Sequence, residues 1–111
     1  MDSHEETEED WGDPTFELFF GVMDKISKGD HASRSFSEAS GSLNIPEREV
    51  RILCWRYNRD GTFKRTLQDI SNEEGVTRER IRQIAAKALR RLRQPTKQEA
   101  LRDFLKEEEG I

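Results

Sequence analysis

The sequence holds a single cysteine, Cys54, in 111 residues. No internal disulfide can form, and one thiol is too little for a structural zinc site. Cys54 sits within an apolar stretch and reads as a small buried hydrophobe in a reducing compartment. Histidine is almost as scarce. His4 and His31 fall in segments that read as disordered, with no nucleophile or orienting acid identifiable nearby. No enzymatic activity is therefore expected, and no cofactor or metal. No apolar run approaches the roughly 18 residues that a membrane helix needs, and no signal peptide opens the chain. Hydrophobic residues are few, 32% against 38% charged. A core this lean suits a small helical domain with polar flanks better than a sandwich or barrel.

The net charge of −4 argues against nucleic acid until its distribution is considered. Asp2, Glu5, Glu6, Glu8, Glu9 and Asp10 form an acidic head with no Lys or Arg. From Arg78 to Arg93 the balance inverts: Arg78, Arg80, Arg82, Lys87, Arg90, Arg91 and Arg93 accompany one acid, Glu79. A local basic stripe, rather than the global charge, is the electrostatic footprint of a DNA-binding surface.

Along the chain, residues 1–12 read as a disordered acidic arm. It is either a solubilising tail or a weak competitor with phosphate for the basic stripe. Residues 13–27 read as an amphipathic aromatic helix, with Asp13 as cap and Pro14 at the first helical position. Phe16, Phe19, Phe20, Met23 and Ile26 recur there at helical spacing, so this helix must bury itself against something. Residues 28–42 are rich in Ser and Gly and read as a linker. A domain is expected over 43–106, followed by an acidic tail over 107–111.

Within that domain Pro46 starts a helix carrying Val50, Leu53 and Cys54 on one side, and Asn58-Arg59-Asp60-Gly61 breaks it. Thr66-Leu67-Gln68-Asp69 resembles a capping box with Asp in place of Glu. Gly75 ends the short helix that follows, and Thr77 can cap the next, which runs to about Arg93. Pro95 stops it, and Thr96-Lys97-Gln98-Glu99 reads as the capping box of a closing helix. Two short-linked helices, the second long and basic, make a helix-turn-helix signature, and the fold class is all-α.

At about 100° per residue, Ile81, Ile84, Ala85, Ala88, Leu89 and Leu92 share the core side of the basic helix. Glu79, Arg82, Gln83, Ala86 and Arg90 share the opposite side. The N-terminal end of that outer face is the part that enters a DNA groove. Its chemistry fits base edges: Glu can accept from cytosine N4, Gln can pair with adenine, and Arg can grip guanine O6 and N7. A lone acid among seven bases is costly against phosphate but useful against a base. Arg80, Lys87 and Arg91 lie on a flank that suits phosphate or an acidic partner. On periodicity alone, a solvated basic helix with routine salt bridges fits as well.

The residues that decide between these readings are Val76-Thr77-Arg78-Glu79-Arg80-Ile81-Arg82-Gln83-Ile84, then Ala86-Lys87-Ala88-Leu89 and Arg90-Arg91-Leu92-Arg93. This string closely resembles region 4.2 of the principal sigma-70-type factors of bacteria. Pro46-Glu47-Arg48-Glu49-Val50 and Ile52-Leu53-Cys54-Trp55-Arg56-Tyr57 resemble region 4.1, and Pro95 with Leu101-Arg102-Asp103-Phe104-Leu105 resembles the closing helix. The resemblance covers about residues 43–106. It implies that Arg78, Glu79, Arg82 and Gln83 read the −35 hexamer, with Arg56, Thr66, Thr77 and Arg80 at the DNA backbone. Lys87, Arg90, Arg91 and Arg93 are implied as activator or phosphate contacts. Val50, Leu53, Leu101, Phe104 and Leu105 would hold the flap of the polymerase β subunit in an apolar cleft. Phe16, Phe19, Phe20 and Met23 are expected to pack either onto this domain or onto polymerase.

Three departures accompany the resemblance. Ala85 stands where these factors usually carry Glu, and Asn58 replaces a usual Gly. Glu74 stands in place of Leu or Phe, which implies looser packing at that turn. Nothing resembles sigma regions 2 or 3, so the chain alone is not expected to open a promoter. The Met start, the acidic arm and the complete closing helix favour a stand-alone region-4 protein over a fragment. The implied function is a cytoplasmic, nucleoid-associated transcription factor. It would bind −35-like promoter DNA and core RNA polymerase, as a split-sigma subunit beside a region-2-containing partner or as an accessory regulator. A DNA-binding regulator independent of polymerase remains an alternative. So does a decoy that occupies the flap or an activator without needing DNA. The complete reading set weighs against the decoy, and the retained region 4.1 helix weighs against the polymerase-independent regulator.

Overall fold

The computed structural model describes residues 14–27 and 33–109, and these form six helices: α1 (Thr15–Ser27), α2 (Ser33–Leu43), α3 (Glu47–Arg56), α4 (Leu67–Glu74), α5 (Arg78–Leu92) and α6 (Pro95–Glu109). The acidic arm, Asp13 and residues 110–111 lie outside the described residues. No helix among the described residues is long and apolar enough to cross a membrane.

Two apolar clusters organise the helices, and α3 divides them. Its Val50, Leu53 and Cys54 join a larger core with Phe19, Phe20, Val22 and Met23 of α1, Phe36 and Ala39 of α2, Leu92 of α5 and Leu101 of α6. Its Ile52 points the other way, into a smaller core with Ile70 of α4 and Ile81, Ile84 and Ala85 of α5. The smaller core lies beneath the helix-turn-helix. Burial pushes the Cys54 thiol up to about 12, against a weaker opposing pull from Lys64, so the group is an inert hydrophobe rather than a nucleophile.

Sequence places the ends of α4 and α5 closely. Thr66 Oγ1 accepts from the Asp69 amide at 3.0 Å, and Thr77 Oγ1 accepts from the Arg80 amide at 3.1 Å. Each hydroxyl satisfies one amide that the first helical turn leaves unpaired. Between them Gly75 ends α4 at φ 74°, in the left-handed region where a side chain is strained.

The Ser/Gly-rich stretch expected as a linker over 28–42 is corrected from residue 33 onward, where the chain is α2. Phe36, Ala39 and Leu43 fall at i, i+3 and i+7 and are all buried, while Ser37, Gly41 and Ser42 face solvent. Three apolar residues on one stripe are enough once a neighbouring helix supplies the burial. Lys97 of α6 closes the C-terminal end of α2, donating to the Leu43 and Asn44 carbonyls at 3.0 Å each. A cation is favoured at that end by the helix dipole.

A second correction concerns the closing helix. Thr96 is not its cap, because α6 begins at Pro95 and the Gln98 amide reaches the Gln94 carbonyl at 2.9 Å. Pro95 does not merely stop α5. It occupies the first helical position of α6, where its fixed φ and missing amide proton cost nothing. Gln98 instead donates to Thr15 Oγ1 and to the Leu92 carbonyl, both at 2.9 Å, tying the start of α1 to the end of α5.

Candidate nucleic-acid interface

The outer face of α5 is built by helical spacing. Ile81, Ile84, Ala85, Ala88 and Leu92 are buried, which leaves Arg78, Glu79, Arg82, Gln83, Ala86 and Arg90 exposed. Thr77 caps the helix at the end where Arg78 and Glu79 stand. Three of the four candidate base readers, Glu79, Arg82 and Gln83, are linked there. Arg82 Nε donates to Glu79 Oε1 at 3.0 Å, and Gln83 Nε2 approaches Glu79 Oε2 at 3.4 Å. Arg82 first, then Gln83, hold the Glu79 carboxyl below the usual carboxylate range. Glu79 is thus an ionised acceptor at neutral pH, as a contact to a cytosine amino group requires.

Beside this face runs an open groove lined by Arg56, Phe63, Lys64, Arg65, Thr66, Leu67, Gln68, Arg78 and Glu79. Arg56, Thr66 and Arg78, separated in sequence, meet in it. Arg56 is anchored from behind, its Nη1 donating to the Arg65 carbonyl at 2.8 Å. Its guanidinium carbon lies 3.8 Å from the centroid of the Phe63 ring. The loop that carries Phe63 is pinned by a Tyr57–Phe63 bridge and by the Lys64 amide on the Arg56 carbonyl at 2.8 Å. Asp60 accepts from the Thr62 amide at 2.9 Å and from its hydroxyl at 2.6 Å. These bonds to Thr62 hold the Asp60 carboxyl below its ordinary range.

A second groove continues along α5 and is lined by Arg56, Tyr57, Phe63, Leu67, Arg82, Ala85, Ala86, Leu89, Arg90 and Arg93. Arg80, Lys87, Arg90 and Arg93 are exposed. Lys87 and Arg90 make no ion pair among the described residues. Lys87 and Arg90 thus keep their charge open to a ligand, whereas Arg82 is paired with Glu79.

Arg91 is a correction. Grouped with Arg80 and Lys87 as a phosphate or activator contact, it turns inward and pairs with Glu49 of α3, through Nε–Oε1 at 3.1 Å and Nη2–Oε2 at 3.2 Å. Glu49 is buried, and its charge requires that partner. A helical wheel gives the flank of Arg91 but not the acid across from it.

Val50, Leu53 and Leu101 are likewise corrected as open contact residues. All are 1% exposed or less, and α1 joins them in the larger core. Phe19 and Phe20 resolve in favour of packing onto this domain. Phe19 is 1% exposed and Phe20 5%. Phe16, half-buried, packs tilted against Tyr57 with ring centroids 4.9 Å apart. Phe104 and Leu105 remain half-buried against the core.

Glu74, expected to loosen its turn, is held by ion pairs instead. It accepts from Arg51 Nε at 2.7 Å, Arg51 Nη2 at 3.1 Å and Arg48 Nε at 3.1 Å, joining α4 to α3. Sequence reasoning missed this pairing, and it missed Phe63. The available signal for Phe63 was an aromatic flanked by Thr62, Lys64 and Arg65 in a polar loop.

Residues 43–94 match the family Sigma-70, region 4. The RNA polymerase sigma factor SigA of Listeria monocytogenes is 41% identical over 90 residues, which is 78% of this chain and 24% of that protein. SigA of a Bacillus species is 51% identical over 61 residues, 55% of this chain and 16% of its own length. RpoD of Neisseria gonorrhoeae is 46% identical over 67 residues, 60% of this chain and 10% of its own. The chain spans a quarter or less of the length of these relatives. No solved structure matches it. The family match falls on α3 through α5, the helices that carry the two grooves and the exposed outer face of α5, and the chain is a sigma-70 region 4-like protein.

Proposed function

We propose that the chain binds −35-like promoter DNA with α5 in the major groove and associates with bacterial RNA polymerase. It would act there as a split-sigma subunit or an accessory regulator of initiation in the cytoplasm. One observation carries the reading: Arg78, Glu79, Arg82 and Gln83 stand exposed together at the N-terminal end of a capped helix, beside a groove holding Arg56 and Thr66. Arg78, Glu79, Arg82 and Gln83 meet base edges. Arg56, Thr66, Thr77 and Arg80 meet the sugar-phosphate strands, and Lys87, Arg90 and Arg93 meet phosphate or an acidic activator.

The polymerase contact follows a narrower route than the resemblance implies. The apolar side of α3 is covered by α2 and that of α6 by α1, so a β-flap helix reaches Val50, Leu53 and Leu101 only where these helices give way. Phe104, Leu105 and the exposed cations are the parts of the domain open to polymerase with α1 in place. The test is capture of core RNA polymerase by the tagged chain, with and without a −35-like duplex. Capture that strengthens with the duplex supports the reading. Duplex binding with no capture of polymerase points to a DNA-binding regulator that works alone. Capture indifferent to DNA, by a chain that binds no duplex, points to a decoy.

A further inference from the structure

Phe63 is 65% exposed and is the one large hydrophobic side chain exposed among the described residues. A single exposed aromatic ordinarily needs no explanation. This one is held in place. Its backbone bridges Tyr57, its carbonyl accepts from Asn58 Nδ2 at 3.3 Å, and its ring lies 5.6 Å from the Tyr57 ring. Arg56 covers one ring face at 3.8 Å. The ring also borders both grooves: the one with Thr66, Arg78 and Glu79, and the one with Arg82, Ala86 and Arg90.

We infer that Phe63 is a DNA-contact residue whose free ring face packs on deoxyribose of the strand that Arg56 and Thr66 engage. This rests on the DNA-binding reading above. A duplex read by Arg78, Glu79 and Arg82 lies along both grooves, and Phe63 stands where they meet. Thr66 lines the groove beside the ring, and Arg56 holds its charge against the opposite ring face. Sugars are the apolar part of a nucleic-acid strand, and they recur in every sequence. The ring therefore adds affinity without selectivity. It releases no counterions, so it leaves the salt dependence alone.

The experiment is duplex binding by fluorescence anisotropy across a salt series, on a −35-like and a scrambled duplex, for the wild type, Phe63→Ala, Phe63→Trp and Arg56→Ala. Phe63→Ala is expected to weaken both duplexes alike by roughly three- to ten-fold, as loss of part of an aromatic burial would. Its salt slope stays at the wild-type value, its thermal midpoint is unchanged, and Phe63→Trp retains affinity. Arg56→Ala instead flattens the slope by about one unit. Phe63→Ala binding like the wild type overturns the inference and leaves the DNA reading intact. A flattened slope for Phe63→Ala also overturns it, because the ring would then act only by holding Arg56. A wild type that binds neither duplex fails the underlying reading, and the inference falls with it.

Discussion

Arg91 of α5 grips the buried Glu49 of α3 through two nitrogen–oxygen contacts of 3.1 and 3.2 Å, so one cation of the basic stripe serves the fold. Arg91→Ala strands a carboxylate that is 6% exposed. The expected cost is about 1–3 kcal/mol of stability, the penalty for a buried group left without its partner. The salt slope of DNA binding should not change. Chemical denaturation and a salt series on the same variant check both halves. A flattened slope at unchanged stability would put Arg91 on phosphate.

Phe19 and Phe20 make α1 part of the core rather than a surface appendage. The variant Phe19→Ser with Phe20→Ser is expected to lose several kcal/mol, since removing even one buried Phe side chain costs about 3–5 kcal/mol. Thermal unfolding followed by circular dichroism reads this. An unchanged midpoint would mean that α1 sits loosely and is available to a partner.

Glu74 gives the stability a pH dependence with a defined sign. Arg51 first, and then Arg48, hold its carboxyl below the usual carboxylate range in the folded chain. A lowered folded value means the stabilisation is complete above the unfolded value of about 4.3. It is lost as pH falls through the folded value. Glu74→Gln should therefore be less stable than the wild type at neutral pH, by about 1–2 kcal/mol. The gap should close as pH drops below that of an ordinary carboxyl. Denaturant titrations at pH 7 and at acidic pH check it. A gap that persists unchanged in acid would mean that the ion pairs are not its source.

The parts of the fold legible in the sequence are those fixed by local chemistry. Thr66, Gly75 and Thr77 mark helix ends because hydroxyl caps and a left-handed glycine satisfy backbone groups wherever they occur. The exposed and buried sides of α5 follow from its period. What escaped depends on neighbours. Helix α2 has only a thin apolar stripe, and its serines and glycine masked it until α1 and α3 supplied the burial. Arg91 reads as a surface cation, Glu74 as a loosened turn and Glu49 as nothing in particular, because a sequence gives their sign and not their partners. Phe63 went unread because its significance lies in the two grooves that meet at it, both lined by residues distant in the chain.

Base reading by Glu79 and Gln83 is recorded in the ratio of affinities for a −35-like and a scrambled duplex. Glu79→Ala and Gln83→Ala each remove a base-edge contact, worth about 1–3 kcal/mol of discrimination. Each variant should lower the ratio accordingly while binding the scrambled duplex at least as well as the wild type. Glu79→Ala should bind it somewhat better, because a carboxylate has been taken from the DNA face. An unchanged ratio in both variants would contradict base reading by this helix face.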